Sequence, residues 1–164
     1  MSDSNLDPER KRHILITDDD HAIAASTARV LTRSINCECT TVHSVDDAIS
    51  AIEAGEFDAL LTDMVMPERS GLELVREVVQ RWPRLPIVVM TGCAEDFSYM
   101  DLMKEGAADF IPKPFNPEEL AAKFVRLFRE KDSMEQLLAD LDRLRKLNVA
   151  QALSERKYRS LFQY

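Results

Sequence analysis

Cysteine, positive charge and long apolar runs are all scarce in this sequence. Its three cysteines, Cys37, Cys39 and Cys93, are odd in number and cannot form a complete disulfide framework. Cys37 and Cys39 stand two apart, so on a strand both would share one face. That spacing suits neither a disulfide nor a four-ligand zinc site, and reduced thiols are the expectation. Lysine and arginine number 21 against 29 aspartates and glutamates, a formal net charge of −8. This balance argues against a general electrostatic grip on DNA or on an anionic membrane. No apolar run approaches the ~20 residues of a membrane span. The opening "MSDSNLDPERKRH" lacks the apolar core of a signal peptide, so a cytoplasmic protein is expected. Neither glycine nor proline occurs after Pro117, which leaves no helix breaker in the last third of the chain.

What is present is a sizeable apolar fraction. At 45% hydrophobic over 164 residues, the chain can bury one domain's core. Residues 1–10 read as a flexible tail. Short apolar runs then alternate with helical patterns. "HILIT", "CECTTVH", "FDALLT", "LPIVVM" and "ADFI" read as strands. Between them, Ile23, Ala24, Thr27, Val30 and Leu31 fall at helical spacing. Ser44 with Asp47 forms a capping-box pattern ahead of a helix that Gly55 would end. Leu72, Val75, Val78 and Val79 line one side of a third helix. "AEDFSYMDLMKEG" reads as a fourth, ending at Gly106. Five strand–helix units predict an α/β fold, with a doubly wound parallel sheet and helices on both faces. Ligands of such sheets bind beyond the carboxyl ends of the strands.

Those ends carry the chemistry. The first strand ends in Thr17, Asp18, Asp19 and Asp20, the third in Asp63, the fourth in Thr91, and the fifth runs into Lys113 between two prolines. Carboxylates converging on one edge repel: two unit charges about 4 Å apart interact by ~4 kcal/mol at an effective dielectric near 20. They call for a cation, and Mg²⁺ takes carboxylates, waters and phosphate oxygens. Lys113 adds a fixed positive charge. Asp63 can then be a nucleophile that forms an aspartyl-phosphate, with the Thr91 hydroxyl on a phosphoryl oxygen. Asp20 is read instead as the cap of the following helix. Thr91 taken alone is a cap or turn residue, and Lys113 taken alone a solvated lysine.

Together, "DD" at Asp18–Asp19, "LLTDMVMP" around Asp63, "VVMTG" at Thr91 and "FIPKPF" at Lys113 resemble the receiver domain of bacterial response regulators, in that family's order and separations. The resemblance spans residues 11–130. It implies a flavodoxin-like five-stranded sheet of order 2-1-3-4-5. It also implies that Asp63 accepts a phosphoryl group from the phosphohistidine of a histidine kinase or phosphotransfer domain. Mg²⁺ would be held by Asp18, Asp19, Asp63 and the backbone carbonyl of Val65, and Thr91 and Lys113 would engage the phosphoryl group. Phe110 matches the family's switch aromatic, without the tyrosine hydroxyl; the other reading is that Phe110 is simply core. Val65 and Cys93 occupy positions that influence dephosphorylation.

"NPEEL" opens the last helix, with Asn116 as N-cap and Pro117 at its first position. About 40 residues at 1.5 Å each would run ~60 Å. Leu120, Phe124, Leu127 and Phe128 suit packing on the sheet. Beyond them Met134, Leu137, Leu141 and Leu144 repeat at a/d spacing, followed by Asn148, a polar residue able to set register. Residues 131–157 are therefore read as a helical linker and short coiled coil that pairs two copies. Residues 154–164, "SERKYRSLFQY", resemble the opening of a PAS sensor domain, so the chain is read as a fragment of a sensor kinase or multidomain regulator. No DNA-binding module is visible, because the basic residues after 140 are interleaved with acids.

Two rivals remain at this point. Phosphatases of the haloacid dehalogenase class also form aspartyl-phosphates with Mg²⁺, from a D-x-D pattern that Asp18 and Asp20 could mimic. Their follow-up threonine and cap domain are missing, and Asp63 would be unexplained. The other rival is a receiver-like interaction module that accepts no phosphate; the acidic pair and the lysine argue against it.

Overall fold

The computed structural model describes residues 10–92 and 98–162. Five strands, β1 (Arg12–Thr17), β2 (Cys37–Val42), β3 (Ala59–Asp63), β4 (Ile87–Thr91) and β5 (Asp109–Pro112), form one parallel sheet of order β2-β1-β3-β4-β5. The helices are α1 (His21–Ser34), α2 (Val45–Ala54), α3 (Gly71–Arg81), α4 (Tyr99–Lys104) and α5 (Pro117–Leu161). This is the parallel sheet with flanking helices expected from the strand–helix alternation, in the flavodoxin-like order that the resemblance implies.

The inner strands β1, β3 and β4 are buried on both sides, which is why they are continuous apolar runs, whereas the edge strand β2, CECTTV, is buried only at Cys37. Side-chain alternation along each strand sorts the core into two layers. Leu15, Leu60 and Val89 face α2, α3 and α4, through Val45, Ile49, Leu74, Val78 and Leu102. Ile14, Ile16, Leu61, Val88 and Ile111 face α1 and α5, through Leu31, Leu120 and Phe124. Phe124 is fully buried, and truncating such a side chain to alanine typically costs about 3–5 kcal/mol.

The caps follow from the sequence. Asp20 Oδ1 accepts the amides of Ala22 and Ile23 at 2.9 and 3.1 Å, as expected of a helix cap. Ser44 accepts the Asp47 amide, which is half of the expected box. The complete reciprocal box lies at Ser70 and Glu73, where the longer glutamate reaches back to the Ser70 amide. Helix α4 begins at Tyr99; the start expected for it, and Cys93, lie outside the described residues. At the sheet's far end Asp58, almost wholly buried, binds Arg10 at 3.0 Å and the His13 amide at 2.8 Å.

Two units divide the chain, one ending at Phe128 and the other beginning at Arg129. In the second unit Met134, Leu137, Leu141 and Leu144 are exposed helical residues, as are Ser154–Leu161. Among the described residues no helix is long and apolar enough to cross a membrane.

Candidate functional site

Strand register brings the site together. Thr17 pairs with Thr62, Asp63 with Met90, and Thr91 with Pro112. The residues that follow or end these strands therefore meet at one edge: Asp18, Asp63, Thr91 and Lys113. Two backbone bonds extend the ladder past the strands, from the Met64 amide to Met90 O at 2.9 Å and from the Lys113 amide to Thr91 O at 2.7 Å.

Asp18 is buried, and both its carboxylate oxygens are occupied. Oδ1 accepts the Asp20 amide at 2.9 Å and Oδ2 accepts Lys113 Nζ at 2.9 Å. Asp63 lies at the rim, 9% exposed. Its Oδ1 accepts the Met64 amide at 2.9 Å and lies 3.3 Å from Lys113 Nζ. Asp19 is exposed. One oxygen from each of Asp18, Asp19 and Asp63 lies within 4.8 Å of the others. Three carboxylates gathered in this way offer hard oxygen donors, the ligand type that Mg²⁺ takes.

Burial pushes the Asp63 carboxyl above the usual carboxylate range; the nearby Lys113 charge works against this and Asp18 adds to it. For Lys113, burial favours the neutral amine. The hydrogen bond that it donates to Asp18 and the charges of Asp63 and Asp18 outweigh it, so its pKa ends above the ordinary lysine value. The ammonium is therefore a fixed cation between two acids.

Thr91 is nearly buried at the end of β4. Val65 is 74% exposed on the loop after Asp63. Phe110, on β5, is half-buried and stacks on Tyr99 at 3.9 Å between ring centroids. It packs against the core without being sealed inside it. Asp20 stays out of the acidic cluster because its carboxylate caps α1.

Three features were not read from the sequence. Gly71 abuts Asp63 so closely that a Cβ there would fall onto the Asp63 carbonyl oxygen, and its amide donates to Met64 O at 2.9 Å. Tyr99 covers Phe110. His43 Nδ1 lies 2.9 Å from Asp18 O, with its ring stacked on His21 at 3.5 Å.

The sequence matches the response regulator receiver domain family over residues 14–125. It is 36% identical over 107 residues to the DNA-binding transcriptional regulator NtrC of Klebsiella pneumoniae, covering 65% of this chain and 23% of that protein. It is 36% identical over 119 residues to the response regulator MprA of Mycobacterium ulcerans, covering 71% of this chain and 50% of that one. The match thus spans between about a quarter and a half of these relatives' length. The fold is similar to the crystal structure of a CheY-like receiver domain protein from Methanospirillum hungatei JF-1. There the TM-score is 0.72 at 28% identity, over 76% of this chain and 99% of that one.

Proposed function

The chain belongs to the response regulator receiver family, and from that premise we propose that Asp63 accepts a phosphoryl group from a phosphohistidine on a histidine kinase or phosphotransfer domain. It is a receiver domain of the two-component type, a phosphoacceptor and not a metabolic enzyme. The observation that carries the reading is the meeting of Asp18, Asp63 and Lys113 at one sheet edge.

Among the described residues both contacts of the Asp63 carboxylate fall on Oδ1, which favours Oδ2 as the attacking oxygen. Its lone pair forms the new phosphorus–oxygen bond as the phosphorus–nitrogen bond breaks, and the imidazole leaves with the electron pair and takes up a proton. Burial supports the attack by making this carboxylate more basic and less solvated. Lys113 faces the charge that gathers on the phosphoryl oxygens, and Thr91 offers a hydroxyl from the neighbouring strand end. Receiver domains bind Mg²⁺ at an acidic pocket; here Asp18, Asp19, Asp63 and the Val65 carbonyl would hold it, and when bound it supplies further positive charge to offset those oxygens.

Once Asp63 carries the group, Thr91 shifts toward it and Phe110 rearranges against Tyr99. The half-buried position of Phe110 supports this movement, since a ring sealed in the core could not move so cheaply. The signal passes on through α5, whose exposed seam pairs with a second copy, and on to a sensor module of the PAS type resembled by residues 154–164. The parent would be a sensor kinase or multidomain regulator.

The test is intact-mass analysis after treatment with acetyl phosphate and Mg²⁺, with the adduct mapped. One phosphoryl group is expected, at Asp63, and none in Asp63→Asn. An unlabelled wild-type chain would mean a receiver-like interaction module. Turnover of a phosphate ester that survives Asp63→Asn would mean a phosphatase centred on Asp18.

A further inference from the structure

Away from the acidic edge, Cys37 and Cys39 lie on β2, one of the two edge strands of the sheet. They stand on the face that meets α1, Cys37 buried and Cys39 half-buried. Their sulfurs are 3.9 Å apart. That separation is nearly twice a disulfide bond, ~2.05 Å. Residues two apart on an extended strand are about 6.6–6.8 Å apart along the backbone, which resists further approach. A tetrahedral ion with metal–sulfur bonds of about 2.3 Å, however, sets two of its sulfurs ~3.8 Å apart. The two thiols thus meet in a weak S–H···S contact, too long for a bond joining the sulfurs and compatible with an ion bound by both.

Both residues also border an open groove of about 580 Å³, together with Lys11, Asn36, Glu38 and Thr40, and the half-buried Cys39 is the more accessible of the two. Solvent in that groove can supply the coordination positions that the protein leaves open. We propose that Cys37 and Cys39 form a two-thiolate site for a soft divalent cation of the zinc or cadmium class, completed by water. This differs from the closed four-ligand zinc site that the spacing rules out. It is also chemically distinct from the hard oxygen cluster around Asp63: thiolate sulfur selects soft ions, carboxylate oxygen selects magnesium.

Binding breaks two S–H bonds, forms two metal–sulfur bonds and releases two protons to buffer. Burial makes these thiols reluctant to ionise unaided: the Cys39 thiol is pushed up to about 12 by burial and by its neighbour Cys37. Cys37 is raised by burial too, and the Cys39 hydrogen bond and the Lys11 charge only partly offset this. Burial thus favours the protonated thiols in the empty site, which makes them poorly reactive toward oxidants and alkylating agents, and an ion must displace those protons to bind.

The test is a cadmium titration of the full chain under reducing conditions with saturating Mg²⁺, read by the ultraviolet thiolate-to-metal absorption. One equivalent should bind with release of two protons, and zinc should compete. Affinity should fall at least tenfold in Cys37→Ser and in Cys39→Ser, and stay unchanged in Cys93→Ser and Asp63→Asn. Cys39 is half-exposed, so Cys39→Ser should keep its far-ultraviolet circular dichroism and remain a valid test even where Cys37→Ser fails to fold. Absence of the absorption in wild type, its survival in Cys39→Ser, or its loss in Cys93→Ser would overturn the assignment.

Discussion

Lys113 Nζ lies 2.9 Å from Asp18 Oδ2 and 3.3 Å from Asp63 Oδ1, so one ammonium spans two acids from different strands. Only 20% of the lysine side chain and 1% of the Asp18 side chain reach solvent. Removing the cation leaves two close carboxylates with little water to screen them. Lys113→Met should therefore destabilise the metal-free protein by about 3 kcal/mol, the lower end for breaking a buried pair, because the lysine is partly solvated. Mg²⁺ should then recover more stability in the variant than in wild type, because it replaces the lost charge. Thermal melts in EDTA and in Mg²⁺ check this; equal gains in both proteins would contradict it.

The Asp63 carboxyl gives a pH test with a definite sign. Its folded-state pKa lies above the ordinary value of 3.8, chiefly through burial. Below that ordinary value the group is protonated in folded and unfolded chains alike and costs nothing. As pH rises through the window up to the raised folded pKa, the unfolded chain releases its proton first, and stability falls. Above the window the full penalty persists. Asp63→Asn should thus match wild type near pH 3 and be the more stable protein at pH 7, both in EDTA. Denaturant midpoints across that range read the difference, and a variant less stable at pH 7 would refute the sign.

Much of this was legible in the sequence, for physical reasons. A parallel sheet buried on both faces demands continuous apolar strands, and these are conspicuous in "LPIVVM" and "FDALLT". Acids placed just where such strands stop contradict the apolar run and so mark the site. The cap role of Asp20 was legible too, since Asp before an amphipathic run has a local job. What stayed hidden depends on contacts across the fold. The Tyr99–Phe110 stack joins α4 to β5, and the His21–His43 stack joins the start of α1 to the loop after β2, with no spacing rule to announce either. Gly55 was read correctly as a helix end, but its backbone is extended, φ −144°. The glycine with a left-handed backbone is Gly106, φ +102°.

Gly71 is the sharper case. The start of α3 presses on the peptide that carries Asp63, and a methyl group at position 71 would meet the Asp63 carbonyl and Met64 Cα. Those are backbone atoms, unable to swing aside. Gly71→Ala should cost about 3 kcal/mol or more, at the top of the range for overpacking, and should displace the loop bearing Asp63. Labelling by acetyl phosphate should slow in the folded variant. Gly106→Ala offers a control: strained backbone and contact with Val79, but remote from Asp63. It should lose stability while keeping its labelling rate, and equal slowing in both variants would deny Gly71 its positioning role.

The remaining prediction concerns the unit that begins at Arg129. Met134, Leu137, Leu141 and Leu144 are each more than half exposed along one helix. Four large apolar side chains at a/d spacing form a stripe that a second copy can cover. Asn148 continues the same seam and favours a parallel, in-register pair, in which the two side-chain amides can hydrogen-bond to each other. Sedimentation of the full chain should give a dimer, and a chain ending near Lys131 should give a monomer. Leu137→Asp with Leu141→Asp should also give a monomer, because charge in the seam is desolvated on pairing. Asn148→Leu should tighten association while losing the single register, seen as higher oligomers. A monomeric full chain, or a dimer that survives truncation at Lys131, would place pairing elsewhere in the molecule.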